Sequence, residues 1–143
     1  MIPEVLRLDA TAQAALIRRR ELSAAELVDA SIAQIERFNP QINAIITPLY
    51  EGARRQALNL VDGAFMGVPL VLKDFMCQTQ GDPYYAGMRY LRDLGWRSKA
   101  DTYLAQRSCE AGFIFIGKSN LPELALSPTT EPLAFGATRN LIS

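Results

Sequence analysis

Apolar residues recur at helical spacing at Ala12, Ala15 and Leu16, which predicts a helix over 9–19. Ser23-Ala24-Ala25-Glu26 then places a serine and a glutamate three residues apart, a capping-box pattern that opens a second helix. That helix carries an apolar stripe of Val28, Ile32 and Ile35, with Ser31 the one polar residue on the face. Phe38-Asn39-Pro40 is expected to stop it, because a proline pushes the residue before it out of the helical region. Asn43-Ala44-Ile45-Ile46-Thr47 predicts a short strand, and 51–60 a polar helix whose Arg54 and Arg55 lie on a solvated face without functional weight.

The second half reads as strand, loop, helix, strand. Gly67-Val68-Pro69-Leu70-Val71-Leu72-Lys73-Asp74 is an apolar run between a proline entry and a charged exit, as a buried strand requires. The stretch 75–97 is rich in Gly, Tyr and Asp and has no clear period, so it predicts a long binding loop that walls a pocket. Ser98-Lys99-Ala100-Asp101 resembles a second capping box, leading into a helix that ends near Ala111, with Gly112 at the left-handed stop. Phe113-Ile114-Phe115-Ile116 follows as a strand, giving a β-α-β crossover and a parallel or mixed sheet. Asn120-Leu121-Pro122-Glu123 is expected to start a last short helix. There is no internal repeat and no low-complexity segment.

Buried strands deliver their end residues into clefts where ligands bind, which singles out Lys73. The chain contains no histidine, so a Ser-His-Asp or Cys-His mechanism within it is excluded and a base must be sought elsewhere. A lysine desolvated in a cleft is driven toward its neutral, proton-accepting form; a lysine at a strand end can equally mark where the chain meets water. Asp74 either accepts backbone hydrogen bonds or is solvated. Lys118, in Gly117-Lys118-Ser119, lacks the upstream glycines of a phosphate loop and is read as surface or structural. Tyr84, Tyr85 and Tyr90 line a pocket or pack against their own domain.

A length of 143 residues fits one domain able to bury a core. Zero net charge and the absence of a long basic run argue against nucleic acid or an anionic membrane as partner and favour a small molecule. Cys77 and Cys109 stand apart without a C-x-x-C pair, so no metal site or disulfide scaffold is expected, and both are read as buried thiols. The N-terminus lacks a secretory pattern and no stretch is long enough to span a bilayer, which points to a cytoplasmic protein.

Taken in order, Gly67-Val68-Pro69-Leu70-Val71-Leu72-Lys73-Asp74, then Ala111-Gly112-Phe113-Ile114-Phe115-Ile116-Gly117-Lys118-Ser119-Asn120-Leu121-Pro122-Glu123, then Thr129-Thr130-Glu131-Pro132 and Phe135-Gly136-Ala137-Thr138-Arg139-Asn140 resemble the amidase signature family. The likeness runs from about Leu8 to Asn140. Within the family, Gln80-Gly81-Asp82 and Thr129-Thr130-Glu131-Pro132 look most like a member that opens a cyclic amide.

The resemblance implies an α/β fold: the N-terminal part of the amidase signature fold, a mixed sheet flanked by helices and starting with a helical segment, over residues 1–143. It implies hydrolysis of a linear or cyclic small-molecule amide by a nucleophilic serine, a second serine held by a cis peptide bond, and a lysine that Lys73 matches in context. Thr130 would help shape the pocket floor. No metal or organic cofactor is implied.

The family's Gly- and Ser-rich segment, which supplies both serines, would begin shortly after Asn140, whereas this sequence reaches only Ser143. The expectation is therefore a truncated product, a fragment or a frameshifted reading that carries the lysine alone and is inactive by itself. Ser23, Ser31 and Ser98 are assigned to capping or to backbone bonding, Ser108, Ser119 and Ser127 lie outside a Gly-flanked elbow, and Ser143 is a poorly held terminal residue. The alternative is a non-catalytic interaction module, in which an exposed sheet edge pairs with a partner or a second copy.

Overall fold

The computed structural model describes residues 3–140. After a 3-10 turn at Glu4–Arg7 come α1 (Ala10–Arg18) and α2 (Ala24–Ile42), then β1 (Ile45–Pro48) and α3 (Tyr50–Ala57). β2 (Pro69–Lys73) leads through a long loop holding α4 (Arg89–Asp93) to α5 (Tyr103–Glu110) and β3 (Ile114–Ser119), and a 3-10 turn at Glu123–Ala125 follows. The strands form a mixed sheet in the order β1-β3-β2, with β1 antiparallel and β2 parallel to the central β3.

The capping box forms as the spacing predicts: the Ser23 hydroxyl accepts the Glu26 amide and the Glu26 carboxylate accepts the Ser23 amide. Ser31 donates to the Leu27 carbonyl, so its polar side chain is satisfied inside the helix. Leu27, Val28 and Ile32 pack with Ile17, Ala53 and Ala57 against Ile114 and Ile116, which makes one face of the sheet the main core. On the other face Leu72, Cys77 and Phe115 meet Ala105 of α5. Arg54 pairs with Asp29 at 2.8 Å on the exposed surface between α2 and α3, where solvent screening leaves the contact little weight in stability.

Pro40 does not end α2. It sits inside the last turn, where its missing N–H costs one bond, and the helix runs on to Ile42. The stop comes from Asn43, which adopts the left-handed conformation (φ 51°) while its amide bonds to the Asn39 carbonyl. The Asn39 side chain completes the reversal: Oδ1 accepts the amides of Ala44 and Ile45, both at 2.8 Å, and Nδ2 donates to the Ile45 carbonyl.

The expected capping box at Ser98 is absent. The α5 N-cap is Thr102, whose backbone and hydroxyl pair with Gln78, while Asp101 accepts the Gln80 amide. Ser98 is buried in extended chain with a hydroxyl that finds no hydrogen-bond partner among the described residues. The 75–97 loop is thereby two opposed passes, joined at Gly81 to Ser98, Asp82 to Ser98, Pro83 to Arg97 and Tyr84 to Trp96. The single turn α4 within it is too short to leave a period in the sequence. Gly112 takes the predicted left-handed position (φ 93°), where a Cβ would fall 2.7 Å from the Met66 backbone. Of the cysteines, Cys77 is buried and Cys109 is exposed on α5, against the expectation for the second.

Asn39→Ala is expected to lower unfolding stability by about 2 kcal/mol, because it strands two amides at the corner, whereas Pro40→Ala leaves the helix end at Ile42 and changes stability by less than about 1 kcal/mol. Urea titration and backbone chemical shifts of the two variants check this.

Candidate functional site

Register at the end of the sheet sets the site. Leu72 lies opposite Lys118 and Lys73 opposite Ser119. The pairing slips between Leu70 and Val71, where Ile116 is an extra residue on β3. Phe115 and Lys118 are an odd number of positions apart and would alternate to opposite faces. The bulge reverses the alternation, so Lys118 joins Phe115 and Cys77 on the loop side. Gly117 lets β1 close over this point, since a Cβ there would lie 3.0 Å from Ile45 Cγ2 and 3.1 Å from the Thr47 carbonyl.

Lys73 stands exposed at the C-terminal end of β2, and its Nζ donates to the Asn120 carbonyl at 2.5 Å. The Asp74 amide bonds to the Ser119 carbonyl, so the β2 exit is tied to the β3 exit twice. The side chain of Asp74 is 0% exposed, and both its oxygens face the Tyr85 amide at 3.2–3.3 Å. Of its two readings, the buried acceptor of backbone hydrogen bonds is the one that holds. Lys118 is also 0% exposed, which excludes a surface role: Nζ donates to the Pro83 carbonyl at 2.8 Å and lies 6.0 Å from the Tyr84 ring centroid. Asp74 and Lys118 together therefore hold residues 83–85 of the loop against the sheet.

Burial drives both groups toward neutrality. It raises the Asp74 carboxyl to about 6, an effect that the Tyr85 amide and the Lys118 charge partly offset. It lowers Lys118, against the opposing pull of Asp74 and Asp82. Burial also raises the Cys77 thiol, so this cysteine is a core residue rather than a nucleophile.

Asn120 does not cap a helix; Pro122 precedes the 3-10 turn. It joins the β3 exit to the 135–138 turn through side-chain bonds to the Gly136 carbonyl and the Thr138 hydroxyl, each at 3.0 Å. Thr130 is half-buried, and its carbonyl accepts the Thr138 amide at 2.9 Å. Lys73 and Thr130 are thus linked through Asn120 and Thr138. Tyr84 and Tyr85 pack within the domain, Tyr85 tilted against Phe135 at 5.5 Å, while Tyr90 is exposed on α4. Lys118 and Asn120 escape assignment from sequence because side-chain direction after a bulge is not written in strand alternation; the glycine between Ile116 and Lys118 is the available signal.

Lys73 is the residue that the resemblance to an amide-hydrolysing family singles out, and its amine lies exposed at the end of β2 on the Asn120 carbonyl. Residues 26–142 match the Amidase family, and the chain belongs to the amidase signature family. It is 48% identical over 132 residues to the 6-aminohexanoate-cyclic-dimer hydrolase of Paenarthrobacter ureafaciens, covering 92% of this chain and 27% of that protein. The enzyme of the same name from Pseudomonas sp. (strain NK87) is likewise 48% identical over 132 residues, again over 92% of this chain and 27% of that protein. The structure of 6-aminohexanoate cyclic dimer hydrolase complexed with substrate superposes with a TM-score of 0.91 at 45% identity, covering 96% of this chain and 28% of the other. The chain spans about a quarter of the length of these relatives. The architecture is the α/β N-terminal portion of the amidase signature fold, as the sequence resemblance implied. No helix among the described residues is long and apolar enough to cross a membrane.

Because Asp74 has a higher pKa folded than unfolded, the fold disfavours its ionisation. Stability is expected to fall by up to about 3 kcal/mol as pH rises from about 4 to 6 and then to level off. Asp74→Asn removes that slope, and Lys118→Met moves the Asp74 midpoint above 6 by withdrawing the neighbouring positive charge. Carboxyl-carbon NMR titration and denaturation at stepped pH read both effects.

Proposed function

We propose that the protein is an amidohydrolase that opens a cyclic or linear amide by a Ser-cisSer-Lys mechanism, with Lys73 as the base. The observation that carries this reading is the Lys73 amine, exposed at the end of β2 and held on the Asn120 carbonyl, in a chain 48% identical to a 6-aminohexanoate-cyclic-dimer hydrolase. Lys73 takes the proton of the nucleophilic serine through a bridging serine, and the nucleophilic serine attacks the amide carbonyl. The C–N bond breaks as the proton is passed to the leaving amine, and water then hydrolyses the acyl-serine ester to release the acid and restore the serine. Both serines lie outside the 143 residues, which supply the lysine only. Thr130 shapes the pocket floor through the link to Thr138, beside a groove of about 350 Å³ formed by Pro122, Leu124, Ser127, Thr129 and Pro132. The free thiols of Cys77 and Cys109 are consistent with work in the reducing cytoplasm.

The protein purified from its native source is expected to hydrolyse the cyclic dimer of 6-aminohexanoate, as followed by release of the linear dimer, and the isolated 143-residue chain to give no turnover. Absence of amide hydrolysis from the native protein, or turnover by the isolated chain, contradicts the reading.

A second reading, as a non-catalytic module that associates with a second copy of itself, is favoured by the large apolar side chains exposed beyond the sheet, Leu126 at 83% and Leu133 at 80%. It expects the isolated chain to sediment as a dimer or larger species, and Leu126→Lys with Leu133→Lys to return it to a monomer. A monomeric wild-type chain contradicts that reading.

A further inference from the structure

We propose that Asn120 is a positioning residue for Lys73: its side chain locks the β3 exit so that its own carbonyl stays in place to hold the lysine amine. The proposal rests on the reading of Lys73 as the base. Asn120 is 3% exposed, and its side chain and backbone are engaged on every side. Its amide bonds to the Ala44 carbonyl at 2.7 Å, Oδ1 accepts the Leu121 amide at 3.0 Å, and Nδ2 faces the carbonyls of Gly136 at 3.0 Å and Asn43 at 3.5 Å and the Thr138 hydroxyl at 3.0 Å.

Donor and acceptor roles agree around the network. Thr138 donates its hydroxyl proton to the Asn43 carbonyl at 2.8 Å, which leaves its oxygen to accept from Asn120. A flipped Asn120 amide would set Oδ1 against two carbonyl oxygens, so the orientation is unique. Asn43 fixes the far side, donating to the carbonyls of Phe135 and Ala137.

The remaining carbonyl of this residue is free of the strand ladder, because β3 ends at Ser119. It is the group that accepts from Lys73 Nζ. A lysine has four rotatable side-chain bonds and three equivalent donors, so one fixed acceptor is what confines its amine to one direction. Asp74 and Lys118 bond to the loop, and Asn120 holds the amine.

The test compares Asn120→Ala, Thr138→Val and Val28→Ala. Lys73 Cε relaxation is measured in the 143-residue chain and amide hydrolysis in the native-length protein. Asn120→Ala is expected to drop the Lys73 Cε order parameter below about 0.6, and Thr138→Val to lower it by a smaller step. Val28→Ala destabilises the fold from the α2 core, outside the Asn120 network, and leaves Lys73 order as in wild type. In the native-length protein Asn120→Ala lowers kcat about 10- to 100-fold with KM unchanged.

Should Asn120→Ala fail to fold, Thr138→Val carries the test alone. Unchanged Lys73 order in Asn120→Ala and Thr138→Val, or equal loss of order in Val28→Ala, overturns the positioning role. If the native-length wild type hydrolyses no amide, the base reading fails, and the order measurement still decides whether Asn120 holds Lys73.

Discussion

The parallel pairing of β2 with β3, with its one-residue bulge at Ile116, is the constraint on which the rest of the site depends. It sets Lys73 and Asp74 beside Ser119 and Asn120, and it turns Lys118 onto the loop side of the sheet. Without the extra residue Lys118 would be directed toward the helices α1–α3, where Ile114 and Ile116 pack among Leu27, Val28 and Ile32 in an apolar cluster that offers nothing to an ammonium group. The bulge thus decides which face is an oily core and which can carry a buried charge.

Two polar systems then act on the strand end from different sides. Asp74 and Lys118, both fully buried, fasten the 83–85 segment of the loop, and each is destabilised as an ion by its burial. Asn120, Asn43, Asn39 and Thr138 form the other system, made of neutral hydrogen bonds that fold the 135–138 turn onto the corner between α2 and β1. A buried charged pair is costly to keep and a satisfied neutral network is far less so. Retention of the charges so close to Lys73 fits a site whose loop must hold one shape. Lys118 is engaged by the Pro83 carbonyl and the exposed Lys73 amine by the Asn120 carbonyl.

Much of this is legible in the residues. The Ser23 box, the apolar stripe of α2, the β2 run ending at Lys73, the left-handed Gly112 and the parallel crossover all follow from local rules that the tertiary structure leaves intact. The failures share a cause. Pro40 reads as a helix stop, Ser98 as a cap and Asn120 as a helix start because each is a good local signal. In each case other partners decide the outcome: Asn39 and Asn43 bind the corner, Asp101 is taken by Gln80, and Asn120 is taken by Gly136 and Thr138. Lys118 is hidden for a different reason, since alternation gives the face of a side chain only as far as the first bulge. Residues Leu141-Ile142-Ser143, on which the expectation of a missing serine segment turns, lie outside the described residues.

The central claim is that Lys73 acts as the base of amide hydrolysis. The most direct measurement is the steady-state kinetics of Lys73→Ala in the native-length protein, with the cyclic dimer of 6-aminohexanoate as substrate. The expected result is a fall in kcat of about 10²- to 10⁴-fold with the fold and KM retained. A variant that keeps wild-type kcat would contradict it.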